Sequence, residues 1–105
     1  MAPIIIYVTC SDQDEAGCIA EALLERGLIA CANIMAPHKA VYRWEGKTEH
    51  SDETAMILKT KNAHFDAVKD VIASMHSYDC PCIVSWPIEK GHEPFMTWIE
   101  DQTTG

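Results

Sequence analysis

The sequence lacks an excess of positive charge. It has 8 Lys and Arg residues against 16 Asp and Glu, so the formal net charge is −8 over 105 residues. An acidic surface repels phosphate backbones, and we therefore do not expect nucleic acid as a partner. No apolar run approaches the ~20 residues of a membrane-spanning helix, and residues 1–10 lack the basic leader of a signal peptide. These absences predict a cytoplasmic protein that does not associate with membranes.

The sequence also lacks the short motifs of common catalytic sites. It contains no GxSxG, no phosphate-binding loop and no HExxH. Because no nucleophile, base and orienting residue can be nominated, we do not expect an enzyme. The five cysteines include no CxxC pair, which favours reduced thiols over a disulfide framework. We expect packing roles for four of them, namely Cys18, Cys31, Cys80 and Cys82.

The hydrophobic pattern at the start of the chain predicts a strand followed by a helix. Residues 4–10 form a β-branched apolar run that is typical of a buried strand. Asp12 and Glu15 have the spacing of a capping box, which predicts a helix start. Apolar residues then recur at helical spacing, and Gly27 fits the helix end.

The remaining pattern completes a βαββαβ order within a single domain, residues 1–105. A long hairpin comes next, Asn62 is a candidate cap for a second helix, and residues 82–88 form the last strand. Pro94 suits the first turn of a short C-terminal helix. The predicted fold class is α+β: a ferredoxin-like βαββαβ sandwich with a long β2–β3 hairpin, in which two helices cover one face of a four-stranded antiparallel sheet.

The hairpin runs from Ala30 to Lys61, with about fifteen residues in each arm. The chain reverses at residues 45–47, where Gly46 tolerates the positive φ of a tight turn. Pro37 lacks an N–H donor, so a bulge or bend is expected nearby. A fully extended arm would reach roughly 50 Å, whereas ordinary strands span roughly 17–20 Å. Because so small a chain cannot cover this hairpin, we expect other copies of the chain to do so.

Several segments resemble the CutA family of divalent-cation tolerance proteins. They are LIACANI at residues 28–34, YRWEGK at 42–47, HSY at 76–78 followed by Pro81, and MTWI at 96–99. The resemblance extends over nearly the whole length. It implies a homotrimer joined through the Ala30 to Lys61 hairpin, binding of copper or another divalent metal, and a role in metal-ion tolerance.

The resemblance also implies a set of metal ligands. The ligands proposed for copper-binding members match Cys10 and His76, whereas Met75 replaces a second histidine. Because thiol and thioether sulfur favour soft ions, a site made of Cys10, Met75 and His76 suits Cu(I). Ser77 and Cys82 also depart from the family's Pro and Glu. The alternative is that Cys10 and Met75 pack in the core and His76 lies in a surface loop.

A second candidate site consists of three aromatic residues and a lysine. Since aromatic residues are enriched in interfaces, a subunit contact is the first interpretation. The alternative is a ligand cleft between subunits, with the lysine binding an anion and the rings as walls. That alternative describes a PII-like trimeric small-ligand sensor or a protein scaffold without catalytic activity. The residues are Trp44, Lys59, Tyr78 and Trp98.

Overall fold

The computed structural model describes residues 1–103, which fold into an antiparallel sheet of five strands with three α-helices. The strand order is β2-β4-β1-β5, and β3 pairs with β4 beyond the end of β2. This arrangement confirms the predicted α+β fold class. The strands are β1 Pro3–Cys10, β2 Cys31–Ile34, β3 His38–Trp44, β4 Lys47–Lys61 and β5 Ile83–Pro87. The helices are α1 Gln13–Glu25, α2 Phe65–Met75 and α3 Glu93–Gln102, and a 3-10 turn at Asn62–His64 precedes α2.

The core lies between the sheet and the first two helices. Side chains alternate across a strand, and β1 buries every second residue on one face. The buried side chains of α1 and α2, including Leu23 and Ile72, pack against that face. The third helix lies against the opposite face, where Lys59 Nζ is 5.8 Å from the centre of the Phe95 ring. The buried residues of β1 are Ile4, Ile6, Val8 and Cys10.

The predicted first arm of the hairpin consists of two strands. β2 ends at Ile34 and β3 begins at His38, with Pro37 in the gap. Because proline has no N–H to give to a strand ladder, the interruption at this place is expected. The reversal is shorter than predicted: Glu45 and Gly46 alone connect the paired residues Trp44 and Lys47. Their φ angles of 50° and 77° are both positive, as in the type I′ turns that match the twist of a hairpin.

The long strand β4 has an inner half and an outer half. The inner half pairs with β1, in a register that runs from Pro3 opposite Lys61 to Cys10 opposite Thr54. The outer half pairs with β3 alone. There Val41 is 63% exposed and Trp44 is 47% exposed. The hairpin therefore extends beyond the core, as its length predicts.

Two local predictions are wrong. The side chain of Asn62 makes no capping hydrogen bond, because a 3-10 turn intervenes and α2 begins only at Phe65. The packing roles predicted for Cys18, Cys80 and Cys82 are also wrong, since all three residues are exposed. Cys18 lies on the outer side of α1, and the other two belong to the irregular segment before β5. Cys31 is partly buried.

We expect Gly46→Ala to destabilise the fold by about 1 kcal/mol, since a Cβ is unfavourable at a φ of 77°. Gly17→Ala is the matched control. Gly17 lies within α1, and a Cβ added there would meet no other atom within 4 Å, so this change should stabilise by roughly 0.5–1 kcal/mol. Denaturant unfolding of both variants measures the difference. Equal stabilities for the two variants would contradict the turn assignment.

Candidate metal site and the adjoining cavity

Three potential metal ligands converge where β1 ends. Cys10 is the last residue of β1, Glu15 lies in the first turn of α1, and His76 follows α2. One ligand atom from each lies within 4.8 Å of those of the other two. Among residues 1–103 these three form the one such group of Cys, His and carboxylate side chains. A sulfur, a nitrogen and an oxygen donor thus lie close together at the end of β1.

Glu15 is positioned by the start of its helix. Asp12 Oδ1 accepts a hydrogen bond from the Glu15 backbone N–H at 2.8 Å, which is the predicted N-cap. The Glu15 carboxylate accepts from the backbone N–H groups of Ser11 and Ser77, both at 2.9 Å. Burial opposes ionisation of this carboxyl, but these donors outweigh it and lower the pKa of Glu15. The carboxylate is therefore ionised and connects α1 to the segment after α2.

His76 is held through both ring nitrogens, and its side chain is fully buried. Nδ1 accepts a hydrogen bond from the Tyr78 backbone N–H at 3.0 Å. The proton must then be on Nε2, which donates to the Thr9 carbonyl oxygen at 2.8 Å. Nδ1 also lies 3.9 Å from Glu15 Oε1. The nitrogen that has a lone pair is therefore the one that faces the carboxylate.

The Cys10 thiol is buried. Burial raises its pKa to about 12, and the negative charges of Glu15, Asp12 and Glu53 add to the effect. The thiol is therefore protonated at neutral pH. The residue opposite Cys10 in the sheet is Thr54, whose buried Oγ1 has no hydrogen-bond partner within residues 1–103.

The structure brings two of the three sequence-predicted metal ligands together. Cys10 and His76 belong to the converging group, whereas Met75 ends α2 with 40% of its surface exposed. Glu15 was missed as a ligand because its spacing from Asp12 already gave it a capping role. The available signal was its position, five residues after Cys10 at the start of the helix that follows the same strand.

A cavity of about 440 Å³ lies on the other face of the sheet, at the base of the outer hairpin. The Tyr78 side chain lines this cavity, and its hydroxyl donates a hydrogen bond to Glu53 Oε2 at 2.9 Å. Burial and the Glu53 carboxylate both raise the pKa of Tyr78, so this hydroxyl remains a donor. Partial desolvation of the Cys82 thiol and the nearby Glu53 carboxylate also raise the pKa of Cys82, although the residue as a whole is exposed. The lining residues are Thr9, Ala40, Tyr42, Trp44, Glu53, Tyr78, Asp79, Cys80 and Cys82.

The four residues of the predicted ligand cleft occupy two places within one chain. Trp44 and Tyr78 line the cavity. Lys59 and Trp98 instead adjoin Phe95, whose ring centre lies 5.4 Å from that of Trp98 and 5.8 Å from Lys59 Nζ. The lysine therefore does not line the cavity. A cleft that contains all four residues would require more than one chain, as the prediction states.

We expect the stability of the protein to fall as pH decreases through the lowered pKa of Glu15. A carboxyl whose pKa is depressed on folding stabilises the fold above its ordinary value of 4.5 and loses that contribution below it. Glu15→Gln should therefore be less stable than the parent at pH 7, with the difference narrowing below about pH 4. Thermal unfolding between pH 3 and 7 measures this, with Glu21→Gln on the exposed side of α1 as control. A pH-independent difference would contradict this account.

No helix within residues 1–103 has the length and apolar character needed to cross a membrane.

Comparison with known proteins gives a consistent result along almost the whole chain. The family model described as CutA1 divalent ion tolerance protein matches residues 4–102. The divalent-cation tolerance protein CutA of Archaeoglobus fulgidus is 47% identical over 96 residues, which are 91% of this chain and 93% of that protein.

A solved structure and one further relative extend the comparison. A solved structure described as the periplasmic divalent cation tolerance protein CutA from Archaeoglobus fulgidus superposes with a TM-score of 0.94 at 44% identity, covering 96% of this chain and 98% of that one. The Xenopus laevis protein CutA homolog is 36% identical over 90% of this chain, which spans 63% of the length of that relative. The chain therefore belongs to the CutA1 divalent ion tolerance family.

Proposed function

We propose that the protein binds copper or another divalent metal as part of metal-ion tolerance, with Cys10, Glu15 and His76 as ligands. The observation that carries the proposal is the convergence of their three donor atoms within 4.8 Å. Membership of a divalent ion tolerance family supports the biological role. The names of the relatives fit a tolerance or binding protein rather than an enzyme.

The donor chemistry fits such an ion. Thiolate suits Cu(I), imidazole suits copper and zinc, and a carboxylate extends the set toward divalent ions. The carboxylates that oppose ionisation of Cys10 also attract a cation, and a bound cation favours the thiolate. The unpartnered Thr54 hydroxyl opposite Cys10 adds a polar atom to the same buried region.

Binding would change two groups at the site. The Cys10 proton must leave, so metal binding releases a proton and the apparent affinity rises with pH. A metal on His76 Nδ1 would replace the hydrogen bond from the Tyr78 N–H. We propose Met75 as an additional thioether ligand because it directly precedes His76 at the end of α2. Its exposed side chain would have to turn inward to reach the ion.

We propose in addition that three chains assemble through the hairpin. Support comes from exposed apolar side chains in the outer hairpin and on β5, where a single chain leaves them in contact with water. They are Val41, Tyr42, Trp44, Val84 and Trp86. A closed cyclic assembly would cover the same patch on every subunit.

A second candidate function is a PII-like small-ligand sensor or scaffold without catalytic activity. The cavity favours it, because 440 Å³ is within the usual range of small-molecule sites. Trp44 and Tyr78, two residues of the predicted cleft, line this cavity.

We also propose a cytoplasmic location. All five cysteines are free, as thiols are in a reducing compartment. The Archaeoglobus fulgidus relative is described as periplasmic, so cell fractionation of this protein is the deciding measurement.

We expect one tightly bound Cu(I) per chain, and at least about tenfold weaker binding in Cys10→Ser and His76→Ala. Chelator competition measures both the stoichiometry and the affinity. Cys18→Ser is the matched control, because Cys18 is an exposed thiol on α1. Met75→Leu tests the thioether separately. Affinities equal to the parent in Cys10→Ser and His76→Ala would refute the ligand assignment.

We expect light scattering at micromolar concentration to give three chain masses. Val41→Glu should shift the protein toward smaller species, because it places a charge on the outer hairpin where the parent has an exposed apolar residue. Leu24→Glu makes the same change at an exposed position of α1 and should leave the mass unchanged. A monomeric parent would rule out the assembly.

A further inference from the structure

We propose that the cavity at the base of the outer hairpin binds a small organic cation, namely an amine with an apolar body. This inference gives a ligand class to the second candidate function and rests on that function. It does not depend on metal binding. Cys10 and Thr9 are adjacent on β1 and therefore point to opposite faces of the sheet. The metal site lies on the face of Cys10, and the cavity lies on the face of Thr9.

The charge of the lining selects a cation. Two of the nine lining residues are charged, and both of these, Glu53 and Asp79, are acids. Among the lining residues that one chain supplies, an anion would meet these carboxylates without a basic partner. Lys59 of the same chain, the residue expected to bind an anion, lies beside Phe95 and not in this cavity. Charge complementarity therefore favours an ammonium group.

The hydrogen bonds around Glu53 fix where that group would bind. Glu53 Oε2 accepts a hydrogen bond from the hydroxyl of Tyr78, which lies in the segment between α2 and β5. This bond orients the carboxylate. Oε1 can then accept from an ammonium N–H in a charge-assisted hydrogen bond. Glu53 is partly buried, so this contact is less screened by water than one on an open surface.

The walls favour an apolar body attached to the charge. Tyr42, Trp44 and Tyr78 line the cavity, and aromatic faces attract both apolar groups and cations. Ser51 Oγ donates to the Tyr42 hydroxyl at 3.4 Å, which ties that ring to β4. A volume of 440 Å³ is far larger than a bare metal ion needs, and it suits a molecule of small-ligand size.

Isothermal titration calorimetry with three probes of one shape tests the charge requirement. Phenethylamine is the cation, 2-phenylethanol the neutral analogue and phenylacetate the anion. We expect the parent to bind phenethylamine at least tenfold more tightly than either analogue, because only the amine makes the charge-assisted contact. Binding of phenethylamine should also weaken as salt is added.

Two neighbouring variants test the place of binding. Glu53→Gln removes the charge but keeps an acceptor for Tyr78, and it should weaken phenethylamine binding about tenfold or more. Asp52→Asn is the matched control. Asp52 is the adjacent residue on β4 and points to the other face, where it is exposed and pairs with Lys39 at 3.3 Å. This variant should bind within twofold of the parent.

Phenylacetate binding as tightly as phenethylamine, equal losses in Glu53→Gln and Asp52→Asn, or no binding to the assembled parent would each overturn the inference. If Glu53→Gln does not fold, the comparison of the three probes on the parent decides. The titrations use the metal-free parent, in which phenethylamine binding is expected without any metal, and this separates the test from the metal proposal.

A thermal-shift screen of neutral and anionic metabolites separates this inference from the sensor function. A metabolite of another class that raises the melting temperature, together with no response to phenethylamine, would leave the sensor standing and overturn the inference. No response to any ligand would count against both.

Discussion

The pairing between β1 and β4 is the constraint on which the rest of the structure depends. β4 is fifteen residues long and β1 only eight, so β4 continues past the last pair, Cys10 opposite Thr54. Up to that pair, helices cover one face of the sheet. Beyond it, β4 has only β3 as a partner. The place where the core ends and the hairpin projects is thus set by one difference in strand length.

Both candidate sites lie at this point, on opposite faces of the sheet. Cys10 points toward the helices and joins Glu15 and His76, while Thr9 lines the cavity. The segment after α2 contacts both faces, because His76 bonds the Thr9 carbonyl and Tyr78 reaches Glu53. The hydrogen bond between the Tyr78 N–H and His76 Nδ1 connects the two residues. A metal that displaces this bond would therefore act directly on a residue of the cavity wall.

Part of the candidate metal site could be predicted from the sequence. The family resemblance matched Cys10 and His76, and the structure places their ligand atoms together. Glu15 was recognised only as a capping residue, since its contact with Ser77 joins residues 62 positions apart. Cys82 was expected to pack, yet it is exposed and lines a cavity beside Glu53. Spacing along the chain does not report contacts of this kind, because they depend on how loops from different strands meet.

The sequence by itself determined the order of elements, the first helix and its Asp12 cap, the break at Pro37 and the turn at Gly46. These features depend on local φ preferences, side-chain capping and hydrophobic periodicity, which neighbouring residues specify. Only the tertiary structure decided that Glu15 joins Cys10 and His76, and that Lys59 lies beside Phe95 rather than in the cavity. The physical reason is the strand register, which determines which distant side chains share a face of the sheet. A register shift of one residue would move every side chain of the shifted strand to the opposite face.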